Sequence, residues 1–514
     1  MSKTINYADI PAEMFTFART TDHISDKKLE TKPVGYFKDA FYRFRKNKSS
    51  TAAAIIILLL VLFSIFAPLM TPYTIGYIDM NMKGMLPKSR FFSQFGFWDG
   101  AKRETISEAT YWSYRAMGEE MGLDPIKELY GVKEEVTYIG TLKKVTRLYT
   151  VRLDSYTKDG AVYKLLSAEE YAALQRYQDE KGVQIIYPAV PEKAGGSFDQ
   201  YNANGWYVIG QNKLPKGYDA ATGSVTWENQ YIAYTGDDGY TSTMRIEGDT
   251  PQYDYAIRKQ GNQYYVRVNY YRYYEYINGF EACFLFGSNQ DGRDIFVRLA
   301  YGARFSLLLA VSVSLINLVL GAIYGAIEGY YGGAADMIME RVVEILSGVP
   351  FIVIVTLFKL HLASKVGVVA CLLFAFVTTG WIGTASLVRT QFYRYKHQEY
   401  VLAARTLGAS DFRLIFKHIF PNALGTMITS CVLVIPGVIF SESSLSYLNI
   451  VNLEGSTATS IGTMLSNGSG ATLQAYPHII FFPALFISLL EISFNLFGNG
   501  LRDAFNPSLR GVDE

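Results

Sequence analysis

Glu399 to Asn422 reads EYVLAARTLGASDFRLIFKHIFPN, a polar and basic stretch set between two long apolar segments. Glu399 to Leu407 is built from strong helix formers. Gly408 offers a stop where φ can turn positive, and Ser410 or Asp411 can cap a second helix running to about Phe420. Two short helices joined at a bend make a protruding knuckle. The small pair Ala403 and Ala404 lets a partner's side chains approach the backbone, while Arg405, Arg413 and Lys417 supply charge for an acidic rim. A basic cytoplasmic loop also arises simply from the excess of Lys and Arg on that side of membrane proteins, so the surrounding chain has to decide.

The chain is mixed in character. Its mean hydropathy is only slightly positive, yet it carries six long apolar runs. With 48 basic and 47 acidic residues, nothing points to nucleic acid as a partner. Cys283, Cys371 and Cys431 have no CxxC or zinc-site spacing, which argues against a disulfide framework or a metal site.

Read from the start, Met1 to Lys32 is polar and aperiodic. Gly35 to Lys48 combines Phe37, Phe41 and Phe44 with Arg43, Arg45, Lys46 and Lys48, the make-up of an interfacial helix. Residues 1–50 are thus expected to form a cytoplasmic tail and interfacial helix, and 51–71 a first transmembrane helix. At ~1.5 Å per residue, that helix covers most of a ~30 Å hydrocarbon core. A cleaved signal peptide would carry a much shorter charged region.

Residues 72–286 change to the composition of a soluble α+β domain, an insertion that one crossing from an inside amino terminus places on the extracellular face. Asp124-Pro125 and Gly131 predict a short helix between them, and Ser167-x-x-Glu170 a capped helix ending near Gly182. Val136 to Asp154 and Ala161 to Leu166 favour strand, with a turn at Lys158-Asp159-Gly160. A hairpin is expected over Tyr253–Arg258 and Gln263–Tyr270 around Gly261-Asn262. The tyrosines from Tyr264 to Tyr276 suit either an exposed binding platform or ordinary half-buried strand positions.

Residues 287–514 carry five further spans. A polar turn at Asn289 to Asp294 leads back to the membrane, and Phe305 to Ile327 crosses with Gly321, Gly325 and Gly329 on one face for close helix packing. About Val342 to Phe358 forms a third span, with Glu344 inside it and Pro350 bending it. Val366 to Val388 forms a fourth, Ile419 to Ser441 a fifth kinked at Pro436, and His478 to Leu501 a sixth holding Glu491 and Asn495. Ionisable groups inside a membrane face protein or an aqueous path, so Glu344, Glu491 and Asn495 are candidates for a translocation path. Structural ion pairs or interhelical hydrogen bonds remain the alternative. Glu442, at the outer end of the fifth span, reads as solvated. Arg293, Arg298 and Arg304 fall outside, against the usual charge bias, whereas Arg502 and Arg510 mark an inside terminus.

Ala403, Ala404 and Gly408, followed by Pro421, resemble the cytoplasmic coupling loop of bacterial ABC importer permeases, in the form used by oligopeptide, dipeptide and nickel transporters. This chain has Leu402 where the general motif has Glu, and His418 and Phe420 where it has Ile and Leu. Three further stretches are similar to the C-type peptide permeases: FKDAFYRFRKNKSSTAAAIIILLLVLFSIFAPLMTPY, GSNQDGRDIFVRLAYGARFS with GYYGGAADMIMERVVEILSGVP, and NLFGNGLRDAFNPSLRG. The second implies a helix lying along the outer surface ahead of the second span, capped by the polar turn at Asn289 to Asp294. The resemblance implies an α-helical polytopic membrane protein with six transmembrane helices in an ABC permease bundle, in a bacterial plasma membrane, with both termini cytoplasmic.

It also implies a coupling loop over 395–422, with Glu399, Ala403, Ala404, Arg405, Gly408, Ala409, Ser410, Asp411, Arg413, Pro421 and Asn422 at the ATPase contact. Partners implied are a homologous permease, two ATPase subunits, an extracellular substrate-binding lipoprotein, a peptide substrate and membrane lipid. The chain holds no GxxxxGK[ST], HExxH or GxSxG, so no catalytic residue, metal or cofactor is assigned to it; ATP and Mg are expected on partner subunits. Rival readings are a nickel or metal-chelate permease, a membrane-anchored surface receptor, and a proton-coupled carrier using Glu344 and Glu491.

Overall fold

The computed structural model describes residues 36–139, 142–187, 203–204, 217–226, 256–260, 263–454 and 458–505. The expected tail over Met1–Lys32, the turn at Gly261-Asn262 and the last nine residues lie outside them. The chain opens with α1 (Tyr36–Lys46) and α2 (Lys48–Phe66), separated at Asn47, whose side chain accepts from the Ser50 amide.

The insertion follows as β1 (Ala101–Ser107), α3 (Glu108–Met121), β2 (Ile126–Ile139), β3 (Leu142–Asp154), β4 (Ala161–Ser167), α4 (Ala168–Lys181), β5 (Ile186–Tyr187), β6 (Ala256–Gln260), β7 (Gln263–Asn269) and α5 (Tyr270–Asn278). The first sheet is antiparallel in the order β1-β3-β2, with Ala101 opposite Asp154 and Ile139 opposite Leu142. The helix expected between Asp124 and Gly131 is therefore a strand. Asp124 does bond the Ile126 amide at 2.9 Å, but Ile126, Val151 and Leu153 bury one face of the β2-β3 ribbon. That pairing outweighs a local capping signal.

The second sheet centres on β7, flanked by β4 on one side and by β5 and β6 on the other. Ser167 and Glu170 form the reciprocal capping box of α4, which stops at Gly182 with φ 63°. Tyr270, Tyr273 and Tyr274 lie on α5 and are buried, so no exposed platform exists there. The Tyr77 hydroxyl donates to Tyr274 at 3.0 Å and Tyr274 donates to Tyr73 at 3.3 Å, which packs the segment leaving α2 against α5.

The insertion's two connections clamp one another. The Gly84 amide donates to the Asn289 carbonyl at 2.9 Å and the Ser288 amide to the Met85 carbonyl at 3.0 Å. At Gly292, φ is 72° and a Cβ would sit 1.6 Å from the Asp79 carbonyl oxygen, so only glycine fits.

Beyond the clamp come α6 (Ile295–Tyr331), α7 (Gly333–Ser347), α8 (Phe351–Val366), α9 (Val368–Gly380), α10 (Ile382–Tyr395), α11 (Glu399–Thr406), α12 (Asp411–Arg413), α13 (Phe420–Tyr447), α14 (Ile461–Asn467), α15 (Ala471–Ala475) and α16 (His478–Phe505). Five helices among the described residues are long and apolar enough to cross a membrane, or six spans if the bent pair α7 and α8 counts as one. That pair turns by 73° at the break holding Gly348 and Pro350. The surface helix expected ahead of the second span is instead the start of α6, a continuous 37-residue helix capped by Asp294.

One core joins α6, α8, α9, α13, α14 and α16, with Leu299, Val313, Leu372, Ile439, Ile461 and Leu490 inside it. Glycines set the closest approach. A Cβ at Gly321, Gly325 or Gly329 would come within 2.8, 2.2 or 2.7 Å of a backbone oxygen of α10 or of Trp381 just ahead of it. Arg298 pairs with Glu454 and donates to Thr459 at 3.0 Å, and Arg304 donates to the Ser64 carbonyl at 2.8 Å. These partners explain how basic residues are tolerated at this end of the bundle.

Candidate functional site

The knuckle is built as two short helices around Gly408. Gly408 has φ 80° and its amide returns to the Arg405 carbonyl at 3.0 Å, while the Ala409 amide returns to the Ala404 carbonyl at 3.1 Å. Those two bonds are the paired closure that ends a helix on a left-handed glycine. Ser410 then caps α12 through the Arg413 amide. The second helix does not stop at Phe420. It runs through a π-helical turn, Leu414–Ile419, directly into α13. Its hydrogen bonds step five residues, bringing Leu414 and Ile419 to the same buried side.

The inner face of the knuckle is anchored. Val401, Leu414 and Ile419 are fully buried against Ala322, Ala326, Val388 and Phe392 of α6 and α10. Tyr330, in the last turn of α6, donates to the Asp411 carboxylate and accepts from Arg405 at 3.3 Å. At the other end, Asn422 donates to the Tyr400 hydroxyl at 3.2 Å. An ionic cluster holds the neighbouring helix ends: Arg389 of α10 bonds Asp336 of α7 at 2.6 and 2.9 Å and lies 3.6 Å from Glu328 of α6. Lys396 donates to the Gly329 carbonyl at 2.9 Å.

The outer face is apolar and open. Leu407 is 88% exposed, Phe412 71% and Phe416 52%, with the Phe412 and Phe416 rings 4.4 Å apart. Around them Glu399, Ala403, Arg405, Ser410, Asp411, Arg413, Pro421 and Asn422 are exposed, and Ala404 and Ala409 half-buried. Sequence reasoning singled out the alanines and the charges and missed these three large side chains. Phe412 and Phe416 stand one helical turn apart, but Leu414, Ile415, Ile419 and Phe420 beside them are equally apolar and are buried or half-buried, so no local signal separates the two sets. Beside the knuckle, a cavity of about 620 Å³ is lined by Gln391, Arg394, Asn422, Thr426, Ser430 and Arg502.

Of the three polar residues expected along a path, Glu491 and Asn495 meet one turn apart on α16, and Glu344 touches neither of them. Glu344 is exposed on α7 and pairs with Arg341. Asn495 is exposed and donates to the Glu491 carbonyl at 2.9 Å. Glu491 is half-buried, and its Oε1 is buried without a hydrogen-bond partner among the described residues. Glu442 contradicts its reading as solvated: it is 1% exposed and accepts from Ser306 of α6 and from Ser446, each at 2.9 Å.

Residues 317–511, which hold most of the bundle and its knuckle, match the family model of the inner membrane component of binding-protein-dependent transport systems. Residues 35–87 match the N-terminal membrane domain of oligopeptide transport permease C. The chain is 42% identical over 225 residues to the dipeptide transport system permease protein DppC of Bacillus subtilis, covering 44% of this chain and 69% of that one. To the oligopeptide transport system permease protein OppC of the same organism it is 44% identical over 227 residues, 44% of this chain and 72% of that one. With OppC of Haemophilus influenzae it shares 41% over 234 residues, 45% of this chain and 72% of the relative. The chain belongs to the oligopeptide and dipeptide permease family of ABC importers. It is a multi-pass inner-membrane protein, and its family works with ATPase subunits and a substrate-binding protein.

Proposed function

We propose that this chain and a homologous permease together line a path for oligopeptides or dipeptides, and that ATP-driven movement of two partner ATPases reaches the path through the knuckle. The observation carrying this reading is the row Leu407, Phe412 and Phe416, exposed on an element whose opposite face is buried against α6 and α10. Such a shape inserts large side chains into a partner's groove while passing rigid-body displacement to the spans. Arg405 and Arg413 supply a polar rim. Nucleotide and Mg are held by the partners, and substrate passes without covalent change as the bundle alternates between inward- and outward-open states.

In this arrangement the knuckle and both termini are cytoplasmic, and residues 72–286 form an extracellular domain that assists docking of a substrate-binding lipoprotein. Glu491, half-buried with one oxygen unpartnered, faces the path or the second permease. Peptides are preferred over metal chelates as substrate because the relatives at 42% and 44% identity are dipeptide and oligopeptide permeases. The test is uptake of a labelled pentapeptide, a dipeptide or a nickel chelate by proteoliposomes holding the whole transporter and its binding protein. ATP-dependent uptake of a peptide is expected; uptake that persists without the ATPase subunits, or of the nickel chelate alone, would overturn the reading.

A further inference from the structure

The stretch RFFSQFGFW, Arg90 to Trp98, is a tight aromatic loop at the start of the insertion, closed by a single 3-10 turn, Phe92–Phe95, ending on Gly96 with φ 79°. Four of its rings point away from the protein. Phe91 is 64% exposed, Phe95 65%, Phe97 53% and Phe92 39%. Soluble domains rarely gather that much exposed apolar surface on so few residues without a partner.

The loop's position is set by its last residue. Trp98 packs against Phe286 and Phe482 at 6.5 and 6.0 Å, and its indole N–H donates to the Leu285 carbonyl. Phe286 stacks on Phe482 at 4.1 Å and contacts Phe63 of α2 and Phe296 of α6. Trp98 is therefore fixed where α2 ends and where α6 and α16 begin. Phe92 stacks on it at 6.1 Å, and the remaining rings chain outward from Phe92 at 5.2 to 6.3 Å. At this same end Phe66 of α2 and Phe481 of α16 are exposed, as are Leu69 and Met70 in the turn leaving α2.

We infer that Phe91 to Phe97 form an interfacial foot, which dips into the membrane at the boundary between headgroups and acyl chains and holds the insertion domain against the bilayer. The occupant of this apolar patch is lipid. The patch continues the exposed apolar surface of the membrane spans, a tryptophan with a satisfied N–H sits at the level characteristic of such residues, and Arg90 is exposed beside the rings to meet phosphate. Lys88 and Asp99 brace the loop's two ends through Glu281 at 2.7 Å and Lys127 at 3.1 Å, so the foot is held by the protein and not merely adsorbed.

The test is photo-cross-linking of the assembled transporter in phospholipid vesicles, with Phe91→p-benzoylphenylalanine and, separately, Phe95→p-benzoylphenylalanine. A control at Val136, exposed on the β2-β3 ribbon, uses the same probe. Expected is a phospholipid adduct on the 91–97 peptide, at a yield at least several-fold above the control. An adduct to another subunit, or lipid labelling no greater than at Val136, would overturn the inference. A spin label at position 95 gives a second readout: oxygen should relax it more than a water-soluble nickel chelate does, and the reverse order would also sink the idea.

Discussion

Tyr330 and Asp411 tie the last turn of α6 to the first turn of α12, the phenol donating to the carboxylate while Arg405 donates to the same phenol oxygen at 3.3 Å. This is a polar link between a membrane helix and the projecting knuckle. Tyr330→Phe removes a hydrogen bond to a charged group, on the order of 1.5–3 kcal/mol, without emptying the apolar seat of Val401, Leu414 and Ile419. Expected is a complex that assembles and hydrolyses ATP, with uptake per ATP reduced several-fold. Equal coupling ratios in the variant and the parent would show that the link transmits nothing.

At Gly325 the two longest-packed helices touch backbone to backbone, since a Cβ there would lie 2.2 Å from the Ala385 carbonyl oxygen. Gly325→Val should force α6 and α10 apart at a cost of ~1–3 kcal/mol or more, seen as a lower melting temperature in detergent and loss of folded yield. Gly437→Ala, on α13 with nothing within 4 Å of the added carbon, should leave melting unchanged or slightly raised.

Glu442 draws hydroxyls from α6 and from its own helix into one buried node, with Ser460 donating to Ser446 at 3.3 Å behind it. Glu442→Ala leaves those hydroxyls without their acceptor and should destabilise the bundle by ~1–3 kcal/mol, whereas Glu442→Gln retains an acceptor and should cost less. Thermal melts of the purified subunit pair distinguish them. Equal melting of the two variants would contradict this role for the node.

The ends of the aromatic loop depend on charge. Burial pushes the Asp99 carboxyl up, but a hydrogen bond and charge from Lys127, with Arg152 nearby, leave it below the usual carboxylate range. Glu281 is likewise pushed up by burial and brought below that range by Lys88 and Tyr271. A carboxylate depressed in the folded state contributes stability above its unfolded pKa and loses it as pH falls through the folded value. The protection of residues 88–99 against hydrogen exchange, taken relative to the intrinsic rate at each pH, should therefore fall as the pH drops below about 4, with the rest of the insertion less affected. Asp99→Asn together with Glu281→Gln should lower that protection at neutral pH and flatten its pH dependence; a protection profile unchanged by both substitutions would refute the assignment.

What the sequence disclosed follows the range of the interactions. Gly408 and Ser410 could be read directly, because a positive φ and a helix cap are settled within a few residues. The capping box of α4 was legible for the same reason. The apolar runs marked the spans, and the four-residue spacing of Gly321, Gly325 and Gly329 placed them on one face. Glu442 was misread because its partner Ser306 lies 136 residues away, and β2 because its pairing with β3 overrode the local signal at Asp124-Pro125. Leu407 and Phe412 were passed over since nothing local distinguishes an exposed apolar residue from a buried one. Burial of Val401 and Leu414 on the opposite side is what turns them outward.

The most direct measurement is the amount of ATPase subunit retained on the affinity-purified permease pair when Leu407→Asp and Phe412→Asp are introduced together. Both side chains are exposed, so the fold of the permease should survive, as its melting temperature would verify. Expected is a fall in retention of roughly tenfold or more, the scale of losing a central apolar anchor, with peptide uptake lost alongside. Full retention of the ATPases together with undiminished ATP-driven uptake would contradict the proposal that the knuckle receives their movement.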